Sequence, residues 1–111
     1  MTFERWDVVT ALFPFTEVAA RKPRPVVVLS NDSFNREHGH LICCMVTTGA
    51  GSTWPSDHRL VDLAACGLSH ASLVRWKVFT LPLSVVGKRI GALGGVDRGA
   101  VAARLGQVLL A

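Results

Sequence analysis

The chain has 111 residues, half of them hydrophobic, which suits a single domain over residues 1–111 with its own small core and argues against disorder. Its aliphatic runs are short and interrupted, which excludes a helix of the roughly 20 apolar residues that crosses a membrane, and the early acids of Met1-Thr2-Phe3-Glu4-Arg5-Trp6-Asp7 are unlike a secretory signal, so a cytoplasmic protein is expected. The formal net charge of +4 favours an acidic partner, either nucleic acid or an acidic protein segment, and the excess lies in residues 41–111, where seven basic residues face three acidic ones.

In chain order, Val8-Val9-Thr10-Ala11-Leu12-Phe13 reads as a first strand, ended by Pro14 or held by it at a sheet edge. After a loop, residues 25–30 form a second strand, and Asn31-Asp32-Ser33 is a turn cluster. Residues 34–38 suit one helical turn. A third strand covers 41–48, apolar from Leu41 to Val46 and therefore central. Gly49-Ala50-Gly51-Ser52 breaks the chain, and a short strand follows at 58–61. Residues 62–66 suit another helical turn, stopped by Gly67. Strands are expected at 72–81 and 88–93, with a turn between them. From Val96 the period changes, and Val101, Leu105, Val108 and Leu109 fall on one helical stripe. Many short strands followed by one terminal helix describe a small β-barrel or strongly bent sheet with a helix packed on it.

The three cysteines carry no metal-binding or disulfide spacing. Cys43 and Cys44 are neighbours on a strand and so point to opposite faces, and all three are read as small buried hydrophobes.

One stretch stands out. Arg21-Lys22-Pro23-Arg24-Pro25 sets three cations beside two prolines, directly against Val26-Val27-Val28-Leu29. Each proline fixes its own φ and pushes the residue before it toward extended geometry, so Arg24 is held between two stiff points at the mouth of a strand. A guanidinium placed in this way suits a phosphate, because its planar fork offers several charged donors. A solvated loop is the other reading of the same three cations.

The run from Lys22 to Asp32, the Phe34-Asn35 pair and Met45-Val46-Thr47-Thr48-Gly49 together resemble the MazF/PemK family of toxin ribonucleases. Phe13-Pro14-Phe15-Thr16, residues 62–68 (Asp62-Leu63-Ala64-Ala65-Cys66-Gly67-Leu68) and residues 74–81 (Val74-Arg75-Trp76-Lys77-Val78-Phe79-Thr80-Leu81) agree in order, so the resemblance covers nearly the whole chain. It implies a mainly β fold with a C-terminal helix, the SH3-like barrel of the MazF/PemK/CcdB type, acting as a homodimer. It implies cleavage of single-stranded RNA with no metal and no cofactor: the ribose 2′-hydroxyl attacks the adjacent phosphate, leaving a 2′,3′-cyclic phosphate and a 5′-hydroxyl. It also implies a cognate antitoxin, whose acidic, partly disordered segment would cover the RNA site.

Carried over by position, the family's catalytic arginine falls on Arg24 and its catalytic threonine on Thr47, with Thr48 beside it. Arg24 would neutralise the phosphate and protonate the leaving 5′ oxygen, and Thr47 would bind a non-bridging oxygen. Arg75 falls where some relatives place an RNA-binding arginine. Lys77 stands where the plasmid-toxin branch has an acid/base aspartate, so that base is absent. Lys77, Arg21 and Lys22 are further RNA-binding candidates. The Gly-Asp that opens the family's first strand is Trp6-Asp7 here. His38 and His40 are candidate histidine bases, whereas His58 and His70 show no partner in the sequence. Trp54 and Trp76 suit base stacking or packing. Two other readings stay open: a CcdB-like toxin that binds gyrase and cuts nothing, and a catalytically weak RNA- or antitoxin-binding relative.

Overall fold

The alternating runs become strands β1 (Asp7–Ala11), β2 (Arg24–Val28), β3 (His40–Thr47), β4 (His58–Arg59), β5 (Leu73–Pro82) and β6 (Val86–Ala92), with helix α1 (Asp32–His38) after β2 and helix α2 (Gly95–Leu105) after β6. The computed structural model describes residues 2–12 and 22–111, so Arg21, Phe13 and the loop between them lie outside the described residues. The strands form one sheet in the order β4-β5-β3-β2-β1-β6, with antiparallel pairs throughout. The expected mainly β fold with a C-terminal helix is what is seen. Among the described residues no ladder joins β4 to β6, so hydrogen bonds do not close the barrel.

Both faces of the central strands are buried. Val8, Val27 and Cys44 share a core with Leu60, Trp76 and Val101, beneath α2. Their chain neighbours Val9, Val26 and Cys43 point the other way and pack with Phe3, Leu41 and Leu81. Register shifts at Val8/Val9, Val9/Ala11 and Cys44/Met45 bend the sheet, which lets each face be covered separately. Burial pushes the Cys43 thiol up to about 12 and the Cys66 thiol up to about 11, so both stay protonated and pack as small hydrophobes.

Three elements depart from the expected pattern, each for a visible reason. Helix α1 is longer than one turn because Asn31 caps it, its side chain accepting from the Phe34 N–H at 2.9 Å. Strand β4 stops after Arg59 because the Asp97 carboxylate binds the Val61 and Asp62 N–H groups, each at 2.9 Å. The helical stripe holds at buried Val101 and half-buried Leu105, but Val108 and Leu109 are exposed. Past Leu105 the chain widens into a π turn over Gly106–Leu110, which shifts the phase of the stripe.

Two of the family-like signatures are structural. Asn35 is buried; its amide donates to the Phe3 and Ser30 carbonyls at 2.9 and 3.2 Å, tying the N-terminus to the β2–α1 turn. Trp6 has a φ of 77°, a left-handed conformation in which a side chain costs about 1–2 kcal/mol, which is the physical reason for a glycine at that place. Asp7 holds the turn: its carboxylate accepts from the Glu4 N–H and from Arg89 Nε, both at 2.9 Å.

Gly67 interlocks the 60–72 loop with β6. Its φ is 71°, and a Cβ there would lie 2.0 Å from the Ile90 carbonyl oxygen. Gly67→Ala is therefore expected to cost more than the roughly 1–2 kcal/mol of a left-handed φ alone. A urea melt showing no loss of stability would contradict this packing.

Candidate active site

The β2–β3 ladder pairs Val28 with Cys43, Val27 with Cys44 and Val26 with Met45. Continuing that register by two residues sets Arg24 opposite Thr47. By strand alternation both lie on the face of Val26 and Met45. Arg24, Met45, Thr47, Thr48 and Ser72 line one cavity of about 180 Å³. A second, of about 370 Å³, is lined by Lys22, Arg24, Thr48, Gly67, Ser69, His70 and Ser72. The two share Arg24, Pro25, Thr48 and Ser72 and form one cleft.

The Arg24 side chain is exposed, and among the described residues it has no hydrogen-bond or ion-pair partner. Thr47 Oγ1 accepts from the Gly49 N–H at 3.3 Å, which leaves its hydroxyl proton free to donate. That turn requires glycine: Gly49 has a φ of 74°, and a Cβ would come within 2.6 Å of Leu73 Cδ2. Among the described residues no carboxylate lines either part of the cleft. Cations, hydroxyls and backbone make it a site for an anion. No group of three or more His, Cys, Asp or Glu among the described residues could hold a metal ion.

Arg75, a candidate for an RNA backbone, is engaged by its own chain. Nε and a terminal nitrogen grip the Asp57 carboxylate at 3.1 and 2.8 Å, and two further bonds reach Ser52 Oγ and the Ser52 carbonyl at 2.8 and 3.2 Å. The pair is largely sequestered from solvent, with side-chain exposures of 7% and 10%. The Arg75 guanidinium holds the Asp57 carboxyl below the usual carboxylate range. Arg75 therefore braces the 48–57 loop.

That loop carries Trp54. Its N–H donates to Asp57 Oδ2 at 2.8 Å, and its carbonyl accepts from the Asp57 N–H at 3.0 Å. The residue stays 38% exposed, with the Arg75 guanidinium 5.2 Å and the Lys77 ammonium 5.6 Å from its ring centroid. Lys77 alternates with Arg75 on β5 and shares its face, so Lys77 and Trp54 extend the cationic side of the sheet. Trp76, by contrast, is buried in the core.

The histidines separate clearly. His40 pairs with Pro82 and Thr47 with Leu73 on the same ladder, so seven residues, or about 23 Å of strand, part His40 from Thr47. His38, whose carbonyl lies 2.6 Å from His40 Nδ1, is at that far end too, so neither of these candidate bases reaches the cleft. His58 is bound to buried Asp97, with Nε2 2.8 Å from Oδ1. His70, with no partner visible in the sequence, is brought into the cleft.

Residues 4–109 match the family of PemK-like, MazF-like toxins of type II toxin–antitoxin systems. Among solved structures, MazF from Deinococcus radiodurans is 21% identical, covering 98% of this chain and 97% of that one with a TM-score of 0.76. A Mycobacterium tuberculosis toxin, MazF-mt6, is 25% identical over 91% of this chain and 93% of its own, with a TM-score of 0.69. An endoribonuclease in complex with its cognate antitoxin, from a mycobacterial species, is 16% identical over 97% and 93%, with a TM-score of 0.75. No curated protein matches the chain.

Proposed function

Because this chain belongs to the PemK-like, MazF-like toxins of type II toxin–antitoxin systems, we propose that it is an endoribonuclease that cuts single-stranded RNA without a metal ion. The observation that carries this reading is the Arg24 guanidinium, without a partner among the described residues, at the strand position opposite Thr47, in a cleft whose polar lining is cations and hydroxyls. The scissile phosphate lies between them. Arg24 neutralises the charge that grows on the phosphorane and passes a proton to the leaving 5′ oxygen, and Thr47 donates to a non-bridging oxygen. The O2′–P bond forms as the P–O5′ bond breaks, giving a 2′,3′-cyclic phosphate and a 5′-hydroxyl.

Thr48 and Lys22 flank the phosphate in this reading, with Arg21 next along the chain. Lys77 and Trp54 continue the RNA path, the ring as a stacking platform held in place by Arg75 and Asp57. Trp54→Ala is then expected to weaken single-stranded RNA binding about tenfold, within the roughly 1–3 kcal/mol of a base–aromatic stack. Fluorescence anisotropy with a labelled oligonucleotide checks this, and unchanged affinity would remove Trp54 from the path.

The partners follow from the same reading: an acidic antitoxin segment across the cationic cleft, in the cytoplasm, and a second copy of the chain. The exposed run Val108, Leu109 and Leu110 supplies apolar surface for such a dimer. Incubating the purified protein with mixed-sequence RNA in excess EDTA tests the activity. Cyclic-phosphate and 5′-hydroxyl ends support it. Intact RNA together with inhibited gyrase would move the protein to the CcdB-like toxins.

A further inference from the structure

We propose that His70 is a catalytic residue of this cleavage, the base that takes the proton from the attacking 2′-hydroxyl; the assignment rests on the ribonuclease reading above. A 2′-hydroxyl is a weak nucleophile until its proton is removed, and among the described residues the cleft offers few groups to remove it. Among the described residues its walls carry no carboxylate. Lys77 stands where an acid would have served, and it is a cation beside Trp54. Of the four histidines, His58 is engaged by Asp97, and His38 and His40 lie at the far end of β3. His70 remains. It lines the same cavity as Lys22, Arg24, Thr48, Ser69 and Ser72.

Its surroundings fit the role. The Ser72 hydroxyl donates to the His70 carbonyl at 2.8 Å and fixes the backbone at the cleft wall. His70 Nδ1 lies 3.0 Å from Ser69 Oγ. With the Nδ1 proton donated to that hydroxyl, Nε2 keeps a lone pair with no partner among the described residues. The ring is exposed, so a proton it accepts can pass to water. Among the described residues the charged groups that share the cleft with it, Lys22 and Arg24, are both cations, suited to the phosphate. In the balanced step His70 Nε2 gains the 2′ proton, O2′ bonds to phosphorus, and O5′ leaves with a proton from Arg24, which solvent restores.

The test compares wild type, His70→Gln and His70→Ala on a single-site RNA and on the same RNA with sulfur in place of the bridging 5′ oxygen, whose thiolate leaves without needing a proton. The expected result is a kcat about 10²–10⁴-fold lower with little change in KM. The pH–rate profile should lose the limb that belongs to the base, added imidazole should partly rescue His70→Ala, and the loss should persist on the sulfur substrate. Circular dichroism should match wild type. An unchanged rate and pH profile in the variants, with an active wild type, would overturn His70 while leaving the ribonuclease reading standing. A loss that vanishes on the sulfur substrate would place His70 on the leaving group and overturn its assignment as base. A wild type inert toward RNA would defeat both readings.

Discussion

Replacing Arg24 with alanine is expected to lower RNA cleavage by about 10³-fold or more, the scale seen when an arginine that stabilises a phosphoryl transition state is removed. The geometry makes the experiment clean. Arg24 is the first residue of β2, its side chain is exposed, and it has no hydrogen-bond or ion-pair partner among the described residues, so removing it orphans no charge among them. Its backbone is held by Pro23 and Pro25 and by the ladder that pairs Arg24 with Ala11. Thermal stability should stay close to wild type while cleavage is lost. Arg24→Lys separates charge from shape: it keeps the cation but not the fork, so it should restore only a small part of the rate. Cleavage at the wild-type rate by a folded Arg24→Ala protein would mean that the phosphate is bound elsewhere.

The second large effect is on stability. Asp97 is fully buried in the first turn of α2, and its two carboxylate oxygens accept from the Val61 N–H, the Asp62 N–H and His58 Nε2 at 2.8–2.9 Å. Asp97→Ala strands two backbone donors and a histidine and unfastens α2 from β4. The loss should be about 3–5 kcal/mol, as for other broken buried pairs. Burial alone would raise the Asp97 carboxyl, but the two N–H groups and His58 outweigh it and hold it below the usual carboxylate range. The sign follows from linkage. A carboxyl lowered on folding contributes stability above its unfolded value, about 3.9, and that contribution fades as pH falls through the lower folded value. Asp57, lowered mainly by Arg75, acts in the same direction. Wild type should therefore lose stability below about pH 4, and Asp97→Asn should flatten that slope. Urea melts across that range measure it. An Asp97→Asn slope equal to wild type would show that Asp97 does not contribute.

The sequence by itself determined the strand-rich architecture, the terminal helix and the stiffened arginine at the mouth of β2, because these depend on backbone geometry that neighbouring residues set. Alternation sends Cys43 and Cys44 to opposite faces on any strand, and Pro23-Arg24-Pro25 stiffens its own arginine wherever the chain goes. The register that places Arg24 opposite Thr47 extends a ladder of uninterrupted β-branched and apolar residues, whose pairing is fixed by the need to bury them. Partners reached through loops were decided only in three dimensions. Arg75 meets Asp57 across 18 residues, and His58 meets Asp97 across 39. Nothing in the local pattern marks Arg75 as a brace for that loop, because alternation gives the face of a side chain and not what a returning loop lays upon it. The same holds for His70, which looks solitary in the sequence. Its loop, which passes against the Ile90 carbonyl at Gly67, brings it to the wall of the cleft, a placement that packing and not local pattern specifies.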